Sequence, residues 1–99
     1  NAVDYRAYFN RGCACARSED YSGAVNNFTK AIRLNPSDGS TYVSRGIAFH
    51  RLGYEQAAIA DLLKAADYFG YRGEKVAYEK TLSLIKTVQK QISFKIVVA

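Results

Sequence analysis

His50 is the only histidine in the chain, and Cys13 and Cys15 are the only cysteines. A catalytic or metal-bound histidine needs a positioned nucleophile or two or three further ligands. None stands at a usable spacing. His50 therefore reads as a partly exposed surface residue, with a contact to a bound peptide as its functional alternative. Two cysteines separated by one residue on a helix point about 200° apart, which suits neither a disulfide nor a two-thiol metal grip. They read as small, half-buried side chains, and unpaired thiols fit a reducing compartment. Glu19 and Asp20 are adjacent carboxylates, but they fall where a helix should begin, where they serve its cap and its dipole. The seven glycines are scattered, with no phosphate-loop spacing among them. The chain reads as a non-enzyme without cofactor or metal.

The elements that position these residues follow from an internal repeat. Residues 5–38 set against 39–72 pair Tyr8 with Tyr42, Arg11 with Arg45, Gly12 with Gly46, Ala14 with Ala48 and Arg17 with Arg51. They also pair Ala24 with Ala58, Lys30 with Lys64 and Ala31 with Ala65. Eight identities in 34 pairs compare with roughly two from ordinary composition. A fixed period of this length means stacked supersecondary units. Within the first unit, Tyr8, Gly12, Cys15 and Ala16 keep a helical spacing, and Ala24, Val25, Phe28, Ala31 and Ile32 form a second stripe. Ser18-Glu19-Asp20 separates the two, and Asn35-Pro36-Ser37-Asp38 ends the second and caps the next helix. The second unit repeats this through Tyr42, Gly46 and Phe49, a turn at Gly53, then Ala58, Ile59, Leu62 and Ala65. Gly12 and Ala24, like Gly46 and Ala58, are expected where paired helices cross, since small residues let the axes approach. Residues 73–92 predict one further helix with an apolar stripe of Tyr78, Leu82, Ile85, Val88 or Gln89, and Ile92. The stretch 93–99 reads as a tail of unknown role. The whole is all-α, with about five helices.

Composition sets outer bounds. Ninety-nine residues, 48% of them hydrophobic and 23% charged, make one small domain or a fragment of a larger chain, with material for a core. No apolar run is long enough to span a membrane, and no basic-then-apolar leader opens the chain. The chain begins at Asn1 rather than Met, as a processed or excised product would. The absent leader and unpaired thiols point to the cytoplasm. The net charge is +5, with nine basic and seven acidic groups over residues 1–72 (+2) and five and two over 73–99 (+3). These charges are mixed rather than blocked, which disfavours nucleic acid but permits an acidic partner.

The repeat resembles the tetratricopeptide-repeat (TPR) family. That family's 34-residue unit carries aromatic, small and proline residues at fixed offsets. Here those places hold Tyr8, Gly12, Cys15, Ala24, Phe28, Ala31 and Pro36, then Tyr42, Gly46, Phe49, Ala58, Leu62, Ala65 and Gly70. Two departures stand out: Cys15 replaces an aromatic, and Gly70 replaces the closing proline. The resemblance implies a right-handed superhelical α-solenoid of antiparallel helix pairs, with repeats at 5–38 and 39–72 and a capping helix at 73–92. Ala65-Ala66-Asp67, Gly73 and Leu82-Ser83-Leu84-Ile85 suggest the ending of a bacterial-type array.

It also implies a scaffold or adaptor whose first helices line a concave groove for a partner peptide or helix. Carried over by position, the groove residues are Arg6, Phe9, Asn10, Cys13 and Arg17 from the first unit. The second contributes Val43, Ser44, Ile47, His50 and Arg51. This mixture of apolar and basic side chains suits an acidic, partly apolar protein segment. Places that in some members clamp a terminal carboxylate hold Phe9, Cys13 and Ser44, so no such clamp is expected. The alternatives are a self-associating fragment of a longer array and, more remotely, a basic nucleic-acid-binding module.

Overall fold

The computed structural model describes residues 4–98, and every element in that range is helical: α1 (Tyr5–Arg17), α2 (Tyr21–Leu34), α3 (Gly39–Arg51), α4 (Glu55–Tyr71) and α5 (Lys75–Val98). Connections of three or four residues fold each helix back against the one before it. Contacts run mainly between sequence neighbours, with a slight approach of α1 to α3. The result is a slab of 51 × 32 × 18 Å.

The helix starts follow from side-chain chemistry. Asp4 accepts from the Arg6 amide, Asp20 from the Gly23 amide and Asp38 from the Ser40 amide, so three of the helices begin on a carboxylate cap. At α4 the cap position is Tyr54, which makes no such bond. Gly53 and Gly73 turn with positive φ, at 85° and 71°. Glu19 occupies the place corresponding to Gly53 and takes a φ of 63°, a left-handed conformation costly for a residue with a Cβ.

The small residues do their packing in two ways. Gly46 lies against Ala58, whose carbonyl oxygen would stand 3.2 Å from an added Cβ. Gly12 instead faces the ring of Phe28, which an added Cβ would meet at 2.5 Å. The atoms nearest Gly12 thus belong to an aromatic ring that the glycine seats, with Ala24 buried in the same cluster beside Phe28 and Ala48. Tyr42, Ala65 and Phe69 form a second cluster, and Leu62, Ile85 and Val88 a third. The third cluster joins α4 to α5, so the closing helix covers apolar surface of the second unit.

One polar bridge crosses this core. The Arg45 guanidinium donates to both Asp61 oxygens, Nε to Oδ2 and Nη2 to Oδ1, each at 2.8 Å, and Nη1 reaches Thr29 Oγ1 at 3.1 Å. It ties α2, α3 and α4 together. Hydrogen bonding to Asp61 raises the Arg45 pKa above its usual value despite burial. The first unit has no counterpart, because Asn27 stands where Asp61 would. Asn27 donates instead to the Gly23 carbonyl at 2.9 Å and to Cys15 Sγ at 3.8 Å.

The stretch expected as a tail is mostly helix: α5 continues past Ile92 to Val98, while Ala99 lies outside the described residues. Lys95, in its last turns, donates to Glu55 Oε2 at 3.0 Å and fastens that end to the start of α4.

Candidate peptide-binding groove

Two recesses lie side by side, walled mainly by α1, α3 and α5, with Tyr21 and Phe28 of α2 and Leu62 of α4 also lining them. The first has a volume of about 240 Å³ and is lined mostly by apolar atoms of Cys13, Ala16, Tyr21, Phe28, Ile47 and Ala48, with Arg17 and Ser44 at its edge. The second, about 430 Å³, runs between α3 and α5 over Ile47, His50, Arg51, Leu62, Leu84 and Val88, with Thr87 and Gln91 beyond. Ile47 belongs to both, so the two form one groove. Helical periodicity explains the convergence: Cys13 and Arg17, and Ile47 and Arg51, are each four residues apart and share a helix face.

Six of the ten expected groove residues meet here: Cys13, Arg17, Ser44, Ile47, His50 and Arg51. The other four lie elsewhere. Phe9 turns inward, its ring 5.7 Å from that of Phe28. Val43 packs on the second and third core clusters. Arg6 folds back onto Asp4, with Nη2 2.6 Å from Oδ2, and that hydrogen bond holds the Asp4 carboxyl below its usual range. Asn10 is exposed on α1, outside both recesses.

The α5 wall of the groove is not evident from the sequence pattern alone. Leu84, Thr87, Val88 and Gln91 recur at three, four and seven residues, the signal of a helix face. Val88 was visible as stripe, but Thr87 and Gln91 resemble an outer polar face.

Chemistry in the groove is recognition chemistry. Burial pushes the Cys13 thiol's pKa up, away from nucleophilic use. His50 Nδ1 lies 2.5 Å from Glu55 Oε1, and Glu55 also takes the Lys95 bond. Burial alone would raise the Glu55 pKa, but the bonds to His50 and Lys95 outweigh it and hold the carboxyl below its ordinary value. His50 is therefore a tether of α3 to α4. Arg51 stacks over Tyr21, 5.7 Å from the ring centroid. Among the described residues, no group of three or more His, Cys, Asp or Glu side chains could hold a metal.

The sequence pattern of the tetratricopeptide repeat matches residues 5–38, and five helices in this order continue it through a second helix pair to a closing helix. The chain belongs to the tetratricopeptide-repeat family. The Protein STIP1 homolog of Dictyostelium discoideum is 34% identical to this TPR chain over 67 residues, which are 68% of the chain and 12% of that protein. The chain thus spans about an eighth of that relative's length. Two solved structures share the fold. The Arabidopsis OM64 TPR domain superposes with a TM-score of 0.62 at 21% identity, covering 88% of this chain and 84% of that one. The TPR2B domain of yeast Sti1, in a complex with pHsp70, gives 0.62 at 22%, covering 90% and 82%. These three are eukaryotic, and the bacterial-type ending expected for this TPR domain finds no support. Its residues have a packing role instead: Ala65, Ala66 and Ile85 are buried where α4 meets its neighbours, as any closing helix pair requires.

Proposed function

We propose that this TPR domain is a protein-interaction scaffold, without catalytic activity, that holds a segment of a partner protein in the groove of α1, α3 and α5. In this reading residues 5–38 and 39–72 are two repeats and α5 is both cap and third wall. The partner segment is acidic and partly apolar, and the setting is the cytoplasm, where the two thiols stay reduced. The observation that carries the reading is the position of Ile47, 40% exposed and common to both recesses. A large apolar side chain held open to solvent between two hollows is what a bound segment would cover. The yeast Sti1 complex supports it by analogy, as a similarly sized TPR fold seen with a protein partner. A groove this short implies micromolar affinity, about −8 kcal/mol.

The test is capture of partners from source-cell extract on wild type and on Ile47→Glu, followed by amide-shift mapping of a captured partner's segment. Loss of capture in the variant, with shifts on α1, α3 and α5, is expected. Unchanged capture, with shifts confined to residues of α2 and α4 other than Tyr21, Phe28 and Leu62, would place binding on the opposite face.

A second reading, self-association, is favoured by one feature. Phe94, Ile96, Val97 and Val98 are all more than 60% exposed at the end of α5. Sedimentation over a range of concentrations decides it, since a dimer formed without partner would require that patch to be covered by a second copy.

A further inference from the structure

The arginines of this chain are employed unequally. Arg6 is held by Asp4 and Arg45 by Asp61, Arg11 lies over the Tyr8 ring, and Arg72 reaches Ser37 Oγ. Arg11, Arg17, Arg33, Arg51 and Arg72 pair with no carboxylate among the described residues, and of these five only Arg17 and Arg51 line the two recesses. Arg17 lines the edge of the first recess, and Arg51 lines the second while lying over Tyr21, which lines the first. The acidic side chain joined to the groove, Glu55, is already engaged by His50 and Lys95. The junction of the two recesses thus carries two guanidinium groups without a carboxylate partner, supplied by two different helices.

Resting on the groove reading above, we infer that this corner recognises one large apolar side chain flanked by side-chain carboxylates, within an internal segment of the partner. The hollow between α1 and α3 takes the apolar side chain against Phe28, Ile47 and Ala48. Arg17 and Arg51 take the carboxylates, and the stack on Tyr21 restrains the Arg51 fork so that less freedom is lost on pairing. Guanidinium–carboxylate bonds beside an apolar wall are screened less than exposed pairs and are among the stronger hydrogen bonds available. An internal segment fits better than a chain end. The hollow opens through Ile47 into the second recess, and the two arginines, on separate helices, can serve separate carboxylates.

The experiment is an amide-shift titration of the whole domain with a terminally blocked heptapeptide, one leucine flanked on each side by two acidic residues. Its controls replace the acidic residues with lysines, the leucine with glycine, or the blocked end with a free carboxylate. Shifts are expected at Cys13, Arg17, Ile47 and Arg51, with binding about tenfold weaker in the Arg17→Gln, Arg51→Gln double variant. The lysine and glycine peptides should fail, and 0.5 M salt (roughly a 4 Å screening length) should weaken the acidic one. Melting curves of the double variant should match wild type, since both side chains lie outside the core. Groove shifts with undiminished affinity in the double variant, or equal binding of the lysine peptide, would overturn this assignment and leave the groove reading standing. A free-carboxylate peptide binding more than tenfold tighter would overturn the internal-segment reading in favour of a chain end. Shifts confined to residues of α2 and α4 other than Tyr21, Phe28 and Leu62 would overturn both the assignment and the groove, and no shift at millimolar peptide would overturn the assignment.

Discussion

Removing the Asp61 carboxylate would leave the Arg45 guanidinium largely buried, with Thr29 as its one remaining hydrogen-bond partner among those described. An uncompensated buried charge costs more than the pair contributes. Asp61→Ala should destabilise the domain by about 2–3 kcal/mol in chemical denaturation. An Arg45→Met, Asp61→Leu double variant should recover most of that, since no charge is then stranded. Glycine 12 offers a second measurement. A methyl there would press into the Phe28 ring, so Gly12→Ala should cost about 1–3 kcal/mol. At Gly46 the neighbours stand at 3.2–3.3 Å, and the helix preference for Ala, worth up to about 1 kcal/mol, offsets the tighter fit. Gly46→Ala should therefore be close to neutral. Glu19→Gly should raise the melting temperature, by relieving up to about 1 kcal/mol of left-handed strain. These positions differ in how far the sequence announces them. Paired interior glycines and the caps at Asp20 and Asp38 are legible from residue type and spacing alone. The Arg45–Asp61 pair is not, because the repeat matches Arg45 with Arg11 and Asp61 with Asn27, and the alignment hides a bond made in one unit only.

Among the elements, α5 departs most from its expected form. Its stripe from Tyr78 to Ile92 is legible as a helix. The last turns are not, because Ile96, Val97 and Val98 are β-branched and have modest helix preference. Continuity with a long helix and the Lys95–Glu55 bond outweigh that preference. For the same reason the groove lacked a wall in the sequence reading: a face of Leu84, Thr87 and Gln91 does not look apolar until its neighbour is known. The tether makes a pH prediction. The folded Glu55 carboxyl has a pKa below its ordinary 4.5, so its contribution is complete above that value and is lost as the pH falls through the folded pKa. Wild type should lose melting temperature between about pH 5 and pH 3, and Glu55→Gln should lose less over the same window. The Gln variant should already be slightly less stable at pH 7, and hydrogen exchange near Lys95 should be faster.

At the scale of the whole molecule, an 18 Å thickness leaves few residues far from solvent. Phe28, Leu62 and Thr41 are the largest fully buried side chains. A chain ending at Tyr71 would strip Ile85 and Val88 from Leu62, and a stacked repeat without its closing element exposes apolar flank. Such a chain should aggregate or melt with much reduced cooperativity, as scattering and calorimetry would show. Contacts that run mainly between sequence neighbours also predict fast folding, in milliseconds or less. The asymmetry between the two helix pairs has a kinetic side as well. Where the α3–α4 pair is pinned by Arg45 and Asp61, the α1–α2 pair has Asn27 resting on a cysteine sulfur. In a stack whose stability is a sum of neighbouring interfaces, the weaker end opens first and does so without unfolding the rest. Amide protons of α1 should therefore exchange through a local opening, well ahead of those in α3. Since α1 forms one side of the first recess, each such event also dismantles that half of the groove, and an occupant would slow it in proportion to how tightly it holds.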